Sequence, residues 1–353
     1  MAENGPREKV ADLISNKLFS KFKWAQHGPF NQDFKCIHED KHKPADKNQS
    51  HTHPVDVVFS YKDPYLNKTI FLNTDLKSYG ASSIGPGMIE KSLSSLAYTI
   101  ECASNSQEWV NKYSICAGNF EVRGMLFVYN HDNKPVKSFY DFFYPPKPEG
   151  KGRRPRAVQL EKIKIPINKQ IHFVDPDVIA YMMSVTSDMN EMIAEGTFPS
   201  KNYGFYYPQL TLHKVITSET YKPATIELIC SPFMILEHDA VYEHDDNGTK
   251  KLKFEAGYVV YYNRSGEEDN EFVYLLDTLA KYQILNGKNN IRIRLAHKNK
   301  DSHVRSNFSR AIAKYAHEWS YDSVMTEYLQ AIELHLVPTV KEFYCTESLS
   351  WEL

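Results

Sequence analysis

The sequence predicts an α/β fold: a mixed sheet flanked by helices, followed by a C-terminal α+β region. Three observations carry this. Two strand-like apolar runs, 53–61 and 70–77, are joined by a turn-forming segment; a helical apolar stripe covers 88–102; and a further apolar run occupies 124–129. With 353 residues and 42% hydrophobic content, the chain is long enough for two or more packed domains. A first domain is expected over residues 1–145, a basic linker over 146–162, and an α+β region for substrate or partner recognition over 163–353.

The elements follow in order. Glu8 to Phe19 carries apolar residues at helical spacing, which predicts an amphipathic opening helix. Ala25 to Thr52 is polar and rich in histidine, and reads as a long solvated connection. Cys36 with His38, His42 and His51 offers zinc donors, but without the short paired spacing of the usual zinc motifs, so the solvated loop is the preferred reading. The runs 53–61 and 70–77 then fold into a hairpin across Lys62 to Lys68, whose Asp63, Pro64 and Asn67 favour a turn. After a Gly85-Pro86-Gly87 break, Met88, Ile89, Leu93, Leu96, Ala97 and Ile100 make one face of a helix. Gly124 to Tyr129 is a buried strand by composition, closed by a polar turn at Asn130 to Asn133.

The hairpin carries charged residues on apolar frames. Side chains two apart share a strand face, so Asp75 and Lys77 point one way while Leu72, Thr74 and Leu76 point the other. Hairpin pairing brings Asp56 beside Asp75. Two carboxylates suit Mg²⁺ or Mn²⁺ through oxygen ligands, and Lys77 is placed to orient or deprotonate a water or to offset charge on a phosphate.

Pro54, Asp56, Asp75 and Lys77 resemble the PD-(D/E)XK motif of the restriction-endonuclease-like nuclease superfamily, with Pro54 two residues before the Asp. The resemblance covers roughly the first 145 residues, where the order helix, three strands, helix, strand can be followed. It implies a restriction-endonuclease-like core and a metal-dependent nuclease that hydrolyses phosphodiester bonds, with DNA as substrate and endonucleolytic cutting. It also implies Asp56 and Asp75 as ligands of Mg²⁺ or Mn²⁺, Lys77 as the catalytic lysine, and a further acid on the opening helix, Glu8 or else Asp12. By analogy within the superfamily, the chain is an effector of prokaryotic antiviral defence against phage or plasmids, working with a separate protein subunit or as a homo-oligomer. His53, next to Pro54, falls near the metal site on this reading.

Lys147 to Arg156 is the most basic stretch. Its Pro and Gly content predicts an exposed loop in which Lys151, Arg153, Arg154 and Arg156 contact phosphates without reading sequence, or else a charged linker. Further on, Asp175-Pro176-Asp177 opens a helix, Tyr206–Leu212 and Thr225–Cys230 alternate like strands, and the acidic 237–248 segment reads as a solvated hairpin turn. The last third reads strand, helix, strand, helix: 258–262, 272–285, 291–295 and one long helix over 304–336 whose surplus apolar positions suit a subunit contact. Arg292 and Arg294 share a strand face and, with Lys298, Lys300 and Arg305, form a second basic cluster.

Composition bounds the rest. A net charge of −2 supplies no overall positive field, so nucleic-acid binding must come from a local patch. Five scattered cysteines do not make a disulfide framework, which together with a polar start and no membrane-length apolar run leads us to expect a cytoplasmic protein with no membrane association. There is no phosphate-binding glycine loop and no nucleophilic Ser or Cys signature. A non-catalytic scaffold subunit on the same fold is the alternative, and a zinc-dependent regulator using the histidine-rich segment is a third reading.

Overall fold

A computed structural model describes residues 18–42, 50–115, 118–130, 132, 134, 136–148, 155–209, 220–244 and 248–340. The chain forms two compact units, one reaching to Ile179 apart from Pro64–Leu66, the other running from Ala180.

The described residues of the first unit form seven strands: β1 (Ala25–His27), β2 (Gln32–Lys35), β3 (Thr52–Val55), β4 (Val57–Asp63), β5 (Lys68–Tyr79), β6 (Phe120–Asn130) and β7 (Ile171–Val174). Five make a mixed sheet in the order β1-β4-β5-β6-β7, antiparallel from β1 to β5 and parallel from β5 to β7. The β4–β5 hairpin closes where predicted. Asp63 pairs with Lys68, and Asn67 takes a left-handed backbone conformation (φ 50°) that Asn tolerates well.

The described helices of this unit are α1 (Phe19–Lys21), α2 (Glu39–His42), α3 (Pro86–Ala103), α4 (Gln107–Lys112) and α5 (Phe139–Phe143), and α6 (Pro176–Glu195) leads into the second unit. Pro86 opens α3 at its first position, where a missing N–H costs nothing. The predicted stripe, Ile89, Leu93, Leu96 and Ile100, is buried against Leu126 and Val128 of β6. Gly124 allows this approach, since a Cβ there would lie 2.9 Å from Leu96 Cγ. On the other face Phe19 stacks on Trp24 at 4.5 Å and meets Phe59 at 4.6 Å, so the end of the opening helix is pinned by aromatic packing. The rest of that predicted helix lies outside the described residues.

Two expectations change here. The segment 25–52 is not simply a solvated connection: β1 pairs with β4, β2 pairs with β3, and Phe34, Cys36 and His42 are buried. Its apolar residues come singly on strands of three or four residues, too short to show a period. The break expected near residue 163 comes later, because β7 adds a parallel fifth strand beside β6.

The second unit holds β8 (Tyr203–Phe205), β9 (Phe233–His238), β10 (Val241–His244), β11 (Lys250–Phe254), β12 (Gly257–Tyr262), β13 (Asn290–Leu295) and β14 (Glu333–Leu336). Its five-stranded sheet runs β14-β13-β12-β9-β8, with β12, β13 and β14 parallel. The helices α7 (Ile226–Ile229), α8 (Asp269–Lys281), α9 (Val304–Glu318) and α10 (Ser323–Gln330) complete it. The long helix expected over 304–336 is two helices and a strand. Ser320 takes φ 50°, and the Asp322 carboxylate caps α10 by accepting from Met325 N–H at 2.8 Å. Thr225–Cys230 is likewise a capped helical turn rather than a strand, the Thr225 hydroxyl accepting from Leu228 N–H at 3.2 Å. Tyr206–Gln209 is not strand either; β8 lies just before it.

Arg292 and Arg294 do not form a basic surface. Both are buried, Arg294 bridging to Asp188, whose carboxylate also accepts from Tyr261 Oη at 2.8 Å, and Arg292 donating to the Thr197 carbonyl at 3.0 Å and lying over the Phe254 ring. No helix among the described residues is long and apolar enough to cross a membrane.

Candidate active site

Asp56 sits at the break between β3 and β4, one residue beyond the last ladder pair of β4 with β5. Its backbone carbonyl accepts from Asn31 N–H at 3.0 Å, and its Oδ2 accepts from Leu76 N–H at 2.7 Å. The side chain is therefore tied to the middle of β5. Asp75 and Lys77 flank Leu76 on the opposite face of that strand, half-buried, with Lys77 Nζ 2.5 Å from Asp75 Oδ1. The register puts Asp75 beside Leu126 and Lys77 beside Val128, on the sheet side covered by α3.

Asp56 and Asp75 also share a side-chain hydrogen bond. Burial first, then the Asp75 charge, pushes the Asp56 carboxyl up to about 6, partly opposed by the Leu76 N–H and by Lys77. Two carboxylates held this close repel each other unless a proton or a cation lies between them. An oxygen donor pair of this kind fits a hard divalent cation.

Two neighbours were not visible in the sequence. Asn73 lies on the same strand face as Asp75, and its Oδ1 accepts from Trp109 Nε1 at 3.1 Å, anchoring β5 to α4. Tyr113 is buried, and its phenol is held protonated by burial and by the charge of Asp56. Trp109 and Tyr113 lie far from the hairpin in sequence, so local spacing carried no sign of either.

Of the other predicted residues, Glu8, Asp12, Lys151, Arg153 and Arg154 lie outside the described residues. Arg156 is exposed and ion-paired with Glu90 of α3.

A five-stranded mixed sheet with its acidic pair and lysine at the hairpin, flanked by helices, defines the restriction-endonuclease-like PD-(D/E)XK class. The family model for the GAPS4 protein PD-(D/E)XK nuclease domain matches residues 1–178, and the chain belongs to this family. The matched range ends one residue from the boundary of the first unit. No curated protein and no solved structure matches the chain.

Proposed function

We propose that the chain is a metal-dependent nuclease that cuts phosphodiester bonds of DNA, with Asp56, Asp75 and Lys77 as its catalytic set. The observation that carries this is the convergence of Asp56 and Asp75 into a hydrogen-bonded carboxylate pair, with the Lys77 ammonium against it. Asp56 and Asp75 would hold Mg²⁺ or Mn²⁺, and the bound ion would supply Lewis-acid activation of the phosphate and a more acidic water. Lys77 orients the attacking water and offsets charge developing on the phosphate oxygens. The Leu76 N–H fixes the Asp56 carboxylate, so the oxygen pair is preorganised before substrate arrives. Glu8 completes the acidic set, and Lys151, Arg153, Arg154 and Arg156 hold the backbone of the duplex. The family's name supports a role in prokaryotic defence; we place that role in the cytoplasm, with a separate protein subunit or a second copy of the chain as partner.

Plasmid cleavage by the purified chain with Mg²⁺, Mn²⁺ or EDTA, beside folded Asp75→Ala and Lys77→Ala variants, tests the reading. Cutting should require the cation and fall by at least about 100-fold in each variant. Cation-independent cutting, or cutting indifferent to both substitutions, would remove the assignment of the site, and no cutting would leave the scaffold role or a nuclease that needs a missing partner.

A further inference from the structure

A second donor cluster lies in the same unit, built from residues distant in sequence. Cys36 follows β2, His42 ends α2, His53 lies on β3 and Cys102 is near the end of α3; all four are buried, and their donor atoms lie within 4.8 Å of one another. We propose that Cys36, His42, His53 and Cys102 form a closed tetrahedral site for a structural zinc ion that ties the β2–β3 ribbon to the C-terminal end of α3.

The distances argue for it. The two sulfurs are 3.7 Å apart, and His42 Nδ1 is 3.4 Å from each. A tetrahedral zinc with sulfur at about 2.3 Å and nitrogen at about 2.0–2.1 Å has edges of about 3.8 Å between sulfurs and about 3.6 Å between sulfur and nitrogen. A disulfide would need its sulfurs at about 2.0 Å.

Hydrogen bonding argues the same way. His42 Nε2 lies 3.1 Å from a Glu101 carboxylate oxygen, so the ring donates there and Nδ1 faces the sulfurs bare. The one lone pair on Nδ1 accepts from one thiol, the other thiol can turn only to its neighbouring sulfur, and His53 Nε2 is buried with no hydrogen-bond partner. A backbone N–H also points at the sulfurs, His38 N–H donating to Cys36 Sγ at 3.4 Å. Without a cation this buried group is left incompletely paired; with zinc each member has a partner, and the two thiolates cancel the charge of the ion.

Four protein ligands leave no open position, so the role is structural rather than catalytic. It differs from the donor set offered by the histidine-rich segment: His38 and His51 stand beside the cluster, and His53 and Cys102 replace them. His53 is three residues before Asp56, so the ion would brace the strand that delivers the candidate active-site carboxylate.

The full chain, purified without added chelator, should contain about one zinc by mass spectrometry of the metal content, released by a thiol-directed mercurial. The Asp75→Ala, His38→Ala and His51→Ala variants should keep it, and Cys102→Ser and His53→Ala should lose it. Glu101→Gln, which leaves all four ligands in place, should weaken zinc affinity by about 10–100-fold in chelator competition. Should the ligand variants fail to fold, replacement of the metal in the wild-type chain by Co²⁺ decides the matter. Visible bands of tetrahedral cobalt with thiolate charge transfer are expected. Folded wild-type chain without metal and without that spectrum, a Cys36–Cys102 disulfide in the unreduced chain, or undiminished zinc in folded Cys102→Ser would each overturn the site.

Discussion

At Asp56 the residue chemistry runs against stability. Burial and the Asp75 charge push its carboxyl up to about 6 in the folded chain, above its ordinary 3.8, so the folded state binds the extra proton between those values. Stability of the metal-free chain should therefore fall as pH rises from 4 through 6, by at most roughly 3 kcal/mol, and stay low above that. Asp56→Asn keeps an oxygen to accept from Leu76 N–H and removes the ionisation. Urea unfolding from pH 4 to 8 should show that the variant loses this dependence and is the more stable protein at pH 7. Mn²⁺ affinity of the wild type, followed by calorimetry, should drop as pH falls below about 6, because the proton and the cation compete for one carboxylate pair. In the second unit the opposite logic holds for Asp188, whose side chain is fully buried against Arg294. Asp188→Ala strands a buried guanidinium and should cost about 3–5 kcal/mol in denaturant unfolding.

Among the elements, those with a sustained period agree with the sequence reading. The stripe of α3 and the β4–β5 hairpin lie where spacing put them, because each buries a face long enough to show its repeat. Short or capped elements do not: α7 looks like an alternating strand until the Thr225 hydroxyl takes the Leu228 N–H, and α9 stops before α10 through the left-handed Ser320. The contact between α3 and β6 depends on Gly124, where an added side chain would meet Leu96. Gly124→Val should destabilise the chain by about 1–3 kcal/mol through overpacking, read as a shift in the thermal or urea midpoint. Leu96→Ala in that background should recover part of the loss.

For the whole molecule, a net charge of −2 means that DNA must be held by a local patch. With the basic 151–156 segment proposed as that patch, the triple substitution Lys151→Glu, Arg153→Glu, Arg154→Glu should reduce the slope of log affinity against log salt by about 2–3. The loss should be equal for unrelated DNA sequences, since phosphate contacts carry no base information. Binding measured in Ca²⁺ at several salt concentrations checks this; an unchanged slope would move the interface elsewhere.

The sequence by itself determined the α/β class, the hairpin, the following helix and strand, and the pairing of Asp56 with Asp75 and Lys77. These follow from strand and helix periods and from a motif whose residues are near neighbours on one hairpin. Tertiary structure alone decided the rest. It buried Arg292 and Arg294 beside Asp188, brought Asn73 and Tyr113 to the candidate site, and gathered Cys36, His42, His53 and Cys102 from four elements. Periodicity reports which face of an element is apolar, whereas a cluster drawn from distant segments exists only after the chain has closed around it.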